Sequence, residues 1–179
     1  KSWLTRRGAR QVEELDWWDM KQLNGLDFHC VPAQHWSMRT PWDRNRSLWC
    51  GWVITHPTVR LYFSGDSGYT PLLHQIGERL GPFDLAALPI GAYAPRWFMG
   101  PQHMDPQQSA QLFKQLNCQR AIPIHWGVFE LADESLDEPP GILQQAILAE
   151  NISANAFSAL KIGGRINLSS PATSPALQK

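Results

Sequence analysis

The stretch VRLYFSGDSGYTPLLHQIGERLGPFDLAALPIG, residues 59–91, decides the fold class. Val59 to Gly65 is rich in branched and aromatic side chains and reads as a strand. The period then changes. Leu72, Ile76 and Leu80 recur at helical spacing, Pro71 suits a first helical turn, and Thr70 is placed to cap it. Gly81-Pro82 stops that helix. Asp84 to Gly91 follows as a short, nearly continuous apolar run, as in a strand whose sheet is covered by helices. Strand, helix and strand in succession make an α/β unit, and Asp66 sits where the first strand gives way.

Working outward, SLWCGWVIT at 47–55 is a strand candidate joined to residues 59–65 by a turn at 56–58. GLDFHCV at 25–31 is another strand, stopped by Pro32, and residues 32–46 read as a loop. VEELDWW at 12–18 alternates imperfectly and is expected to be a further strand. Downstream, Asp105 and Pro106 open a helix that runs to Leu116, with Leu112, Phe113 and Leu116 on one face. RAIPIHW at 120–126 is an apolar strand. DESLDEPP is an acidic loop, and GILQQAILAEN at 141–151 is a final helix. The whole is α/β, a mixed sheet with flanking helices, spanning residues 1–168. The segment 169–179 is expected to be a loose tail.

With 179 residues, the chain can bury a substantial core as one domain. Its 43% hydrophobic and 18% charged residues exclude a disordered chain. Sixteen basic residues balance sixteen acidic ones, so net charge gives no reason to expect nucleic acid as a partner. Arg39, Arg44 and Arg46 make a local basic cluster. Three scattered cysteines form no CxxC pair and no disulfide framework, which fits a reducing, cytoplasmic setting. No run reaches the length of a membrane span. Nine tryptophans exceed what a small core needs; some are expected to line an apolar cleft or touch a membrane surface.

Three polar residues sit at or just beyond strand ends, where ligands gather over a rigid scaffold. They are His35 in PAQHWSMR (32–39), Asp66 in YFSGDSGY (62–69) and His125 in IPIHWGVF (122–129). Histidine and aspartate are zinc ligands, and a carboxylate can bridge two ions. The separations of 31 and 59 residues match no local metal motif. On residues alone, packing histidines and a turn-capping aspartate remain open beside a shared metal site. His29, His56 and His74 read as ordinary.

The ordered set PAQHWSMR, YFSGDSGY, HMDP and IPIHWGVF resembles the metallo-β-lactamase fold superfamily. The similarity is closer to its branch containing the N-acyl-phosphatidylethanolamine-hydrolysing phospholipase D, from about Val12 to about Asn151. The resemblance implies an αββα sandwich of two sheets between helices, one sheet from each half. It implies two zinc ions that activate water for attack on a phosphodiester. His35 would bind the first zinc, Asp66 would bridge both, His125 would bind the second, and His103 in HMDP would lie near the substrate phosphate. Asp66 and His103 are thus the candidate catalytic residues, and His35, Asp66 and His125 the candidate metal ligands. The branch also carries an HxHxDH segment, which these residues lack. The resemblance places it before the region corresponding to Lys1, so the chain is expected to be the C-terminal half of an enzyme. Alone, it would hold zinc weakly and be inactive. The expected substrate is a phospholipid or other phosphodiester, with peripheral membrane contact, and the uncovered sheet face is expected to drive homo-oligomerisation. A lactone or sugar-phosphate ester hydrolase on the same fold is one alternative; a noncatalytic partner protein is the other.

Overall fold

A computed structural model describes residues 1–161 and 163–168; the expected tail at 169–179 lies outside the described residues. Six strands run through it: β1 (Met20–Leu23), β2 (Leu26–Val31), β3 (Gly51–His56), β4 (Val59–Phe63), β5 (Leu85–Pro89) and β6 (Ala121–Ile124). The helices among the described residues are α1 (Ser2–Thr5), α2 (Leu72–Leu80), α3 (Arg96–Met99), α4 (Pro106–Gln115) and α5 (Glu138–Ala149). The strands form one sheet in sequence order. β1 to β4 are an antiparallel meander, and β4, β5 and β6 pair in parallel across helical connections, so the sheet is mixed.

Register sorts the side chains onto two faces, because they alternate along each strand. Val53, Tyr62, Ala86 and Ala121 are successive cross-strand partners on one face. With Val31 and Leu88 they are buried against Leu73 and Ile76 of α2, Leu112 and Phe113 of α4, and Leu143 and Ile147 of α5. This is the core. Phe28, Ile54, Leu61 and Leu85 are successive partners on the other face, as are Trp52 and Phe63. Among the described residues no helical layer covers that face. Phe28, Trp52, Ile54 and Phe63 border an open groove of about 1010 Å³, flanked by residues of the N-terminal segment such as Val12 and Leu15. Phe63 is 48% exposed.

The structure departs from the sequence expectations at four places. Residues 12–18 form no strand. Asp16 and Asp19 turn the chain there: the Asp16 amide donates to Asp19 Oδ2 at 2.8 Å, and Trp18 takes φ 76°. The strand lies just beyond, at β1, and returns through Asn24-Gly25, both at positive φ as a tight hairpin turn requires. Residues 47–50 stay outside β3, because Pro32 ends β2 and leaves them no partner; Ser37 Oγ bonds the Ser47 carbonyl at 2.5 Å instead. Thr70 does not cap α2 through its side chain. α5 starts at Glu138, with Pro139 and Pro140 in the first turn, where a missing N–H costs nothing. Asp105 behaves as read, forming a capping box with Gln108.

Candidate metal centre

The four candidate residues come together at one end of the sheet. His35 lies beyond β2, Asp66 beyond β4, His103 beyond α3 and His125 immediately after β6. His125 Nε2 stands 3.3 Å from Asp66 Oδ2. The His103 ring lies between the other two imidazoles, edge-on to His35 at 5.2 Å and stacked on His125 at 5.0 Å. His29, His56 and His74 have other partners: Thr55, Thr58 and Tyr69 respectively.

Three loops are stitched to hold this geometry. The Gln34 amide donates to Ser67 Oγ at 2.9 Å, and the Gly68 amide donates to the Gln34 carbonyl at 2.8 Å. Gln34 Nε2 donates to the Pro101 carbonyl at 2.7 Å, and the Met104 amide to the Ser67 carbonyl at 2.9 Å. Ser67 is fully buried. A Cβ at position 68 would sit 2.4 Å from the Pro101 carbonyl oxygen, so only glycine lets these loops meet. Arg96 fixes the His103 segment. It donates to the His103 carbonyl at 2.9 Å and to Gln108 Oε1 at 2.9 Å, and its Nε lies 3.1 Å from Asp105 Oδ2. Gln34 and Ser67 carried no local signal in the sequence, since their partners are distant along the chain; Arg96 reaches partners 7 and 12 positions away.

The electrostatics differ at each group. His125 donates through Nδ1–H to the Gly91 carbonyl at 3.3 Å, which points Nε2 at Asp66. The hydrogen bond to Asp66 raises the His125 pKa, and the same bond lowers that of Asp66 despite partial burial. His103 moves the other way: burial and the neighbouring His125 and His35 lower its pKa to about 4. It is neutral at pH 7, so it can offer one N–H but no charge.

The donor set suits a metal. His35 Nδ1–H donates to the Trp36 carbonyl at 2.9 Å, leaving Nε2 as the lone-pair nitrogen. That Nε2 is buried with no hydrogen-bond partner, as is His103 Nδ1. Backbone carbonyls that fix the tautomer and aim the other nitrogen inward are the usual support of metal-binding histidines. Among the described residues no group of three or more His, Cys, Asp or Glu side chains stands ready to hold an ion.

A mixed α/β sheet thus carries His and Asp side chains that gather at its strand ends. The chain belongs to the beta-lactamase superfamily, whose domain model matches residues 2–126. It is 37% identical over 175 residues to N-acyl-phosphatidylethanolamine-hydrolyzing phospholipase D 1 of Caenorhabditis elegans, covering 91% of this chain and 49% of that protein. It is 40% identical over 157 residues to the mitochondrial N-acyl-phosphatidylethanolamine-hydrolyzing phospholipase D of Saccharomyces cerevisiae, covering 84% of this chain and 33% of that protein. The chain thus spans half or less of these relatives. Among solved structures, it resembles Igni18, a metallo hydrolase from Ignicoccus hospitalis. That match has a TM-score of 0.64 and 22% identity, over 92% of this chain and 63% of the other. This last likeness concerns the fold.

Proposed function

We propose that this chain supplies His35, Asp66 and His125 as ligands, and His103 as a substrate-facing group, to a zinc-dependent hydrolase of phosphodiesters, with N-acyl phospholipids as the substrate class. The observation that carries the reading is the contact of His125 Nε2 with Asp66, joined to His35 through the His103 ring, with the His35 and His125 rings each held by a backbone carbonyl. Relatives named for phospholipase D activity support the substrate class. His35, Asp66 and His125 would hold zinc, which when bound would supply Lewis acidity toward water and phosphoryl oxygens. His35 and His125 each present one nitrogen, and Asp66 presents a carboxylate able to face two ions. His103, neutral at pH 7, donates a hydrogen bond toward the phosphate. These donors are too few to close two sites, so residues 1–179 alone hold zinc weakly and turn over no phosphodiester.

The same reading gives the surface a role. Trp42 and Trp97 are more than 80% exposed, and Phe98 and Phe129 are also exposed. Such apolar tips suit peripheral contact with a lipid surface. No helix among the described residues is long and apolar enough to cross a membrane. The uncovered sheet face takes a second β layer, which is a second copy when the chain is alone.

The test compares residues 1–179, the intact protein and its Asp66→Asn variant. Substrates are bis-p-nitrophenyl phosphate, an N-acyl phospholipid and a lactone, each with added zinc. We expect the intact protein to cleave the phosphodiesters. Asp66→Asn should lose more than the ~10–100-fold that an outer metal partner is worth, with the fold intact. Activity of residues 1–179 alone would overturn the incomplete-site argument. Cleavage of the lactone only would replace the phosphodiester reading, and inactivity on all three would favour a noncatalytic role.

A further inference from the structure

We infer that the cavity beneath residues 127–136 is a subsite for a neutral, linear acyl or alkyl group of the substrate, seated beside His125; this rests on the hydrolase reading above. The cavity holds about 250 Å³, below the ~300–1,000 Å³ of pockets that enclose a whole ligand. It therefore suits one part of a substrate. Its walls are largely apolar, with Trp126, Val128, Phe129 and Leu136 among them, and His125 opens onto it.

The loop over the cavity is anchored at its polar base. Glu134 accepts from the Tyr93 amide at 3.2 Å and the Ala94 amide at 2.9 Å. The Asp133 amide donates to the Ala94 carbonyl at 3.1 Å, and the Tyr93 hydroxyl donates to Glu138. The apolar tips of the same loop remain in solvent; Phe129 is 74% exposed. A tethered loop with uncovered apolar lips over a preformed cavity favours an apolar occupant.

Charge selects which end of the substrate enters. Glu134 lines the cavity and Glu138 accepts from Tyr93 beside it, which disfavours an anion there. On the far side of His103, Trp36 stacks on His35 with rings 8° from parallel, and the Arg44 guanidinium lies 5.4 Å from the Trp36 ring. The geometry therefore orients a substrate across the centre. Its anionic end lies toward His35 and Arg44, and its neutral apolar end toward His125 and the cavity.

The experiment is calorimetric titration of the intact protein with N-acylethanolamines from acetyl to decanoyl, below micelle-forming concentrations. These probes are neutral and carry a single chain. We expect affinity to rise about fourfold per added methylene until the cavity is full, then to level off. Ala132→Phe fills the cavity and should abolish the rise without changing the acetyl probe. Phe129→Ser, at a solvent-exposed position, should weaken the long-chain probes about tenfold and carries the test if Ala132→Phe does not fold. A chain-length dependence that survives in both variants, or none in the native protein, would overturn the subsite. Chain-length-dependent binding in a protein inactive on every phosphodiester would leave the subsite standing and remove the hydrolase reading.

Discussion

His125 and Asp66 share one hydrogen bond, and its proton has two competitors. The bond raises the His125 pKa above its usual ~6.5 and lowers that of Asp66 below its usual ~3.9. In the metal-free protein, the Asp66 contribution to stability is present above the ordinary carboxylate pKa and is lost as pH falls through the folded value. The His125 contribution is present below the ordinary imidazole pKa and is lost as pH rises through the folded value. With Asp66 49% exposed, solvent screens the pair and the stability effect is small. The consequence for metal would be larger, since an ion held at Nε2 would have to displace the proton. We expect apparent zinc affinity of the intact protein to fall about tenfold per pH unit below the raised His125 pKa, and to flatten above it. Competition against a zinc chelator from pH 5 to 8.5 measures this. An affinity unchanged across that window would remove His125 from the ligand set.

At the scale of elements, the centre is only as rigid as the stitches between its loops. Ser67→Ala would leave the half-buried Gln34 amide without its acceptor, at a cost of about 1 kcal/mol, and would loosen His35 and Asp66 together. We expect a lower urea midpoint and faster zinc loss to a chelator, with secondary structure kept. A variant as stable and as retentive as the native protein would mean that Ser67 does not frame the site. The same stitches show what the sequence conveys and what it withholds. Asp105-Pro106 announces α4 because a capping box is local. The 59–91 unit is legible because its periods are local too. The 12–18 segment misleads, since its imperfect alternation hides a turn made by Asp16 and Asp19, while Asn24-Gly25 carried a hairpin signal that went unread. Ser67 and Gln34 meet across 33 positions, and no spacing rule reaches that far. His35, Asp66 and His125 were equally open on spacing; the ordered motifs around them singled them out, and the structure brings them together with His103.

One face of the sheet is dressed by helices; on the other, Phe28, Trp52 and Ile54 are half-buried and Phe63 is exposed. Three helices bury the Val53–Tyr62–Ala86 face, whereas Phe28, Trp52, Ile54 and Phe63 border an open groove. We expect residues 1–179, expressed alone, to self-associate at micromolar concentration. Light scattering checks this; a monodisperse monomer with sharp near-UV ellipticity would show that the partly exposed face tolerates water. Strand order adds a temporal consequence. Each strand of the sheet lies next to its predecessor in the chain, so during synthesis every new strand can add to an edge already laid down. The candidate donors ride on different segments, after β2, after β4 and after β6, and His125 emerges last. A nascent polypeptide that has not yet extruded residue 125 can hold much of the scaffold but not the Asp66–His125 pair. An ion that needs both groups could then be captured only after residue 125 has left the ribosome.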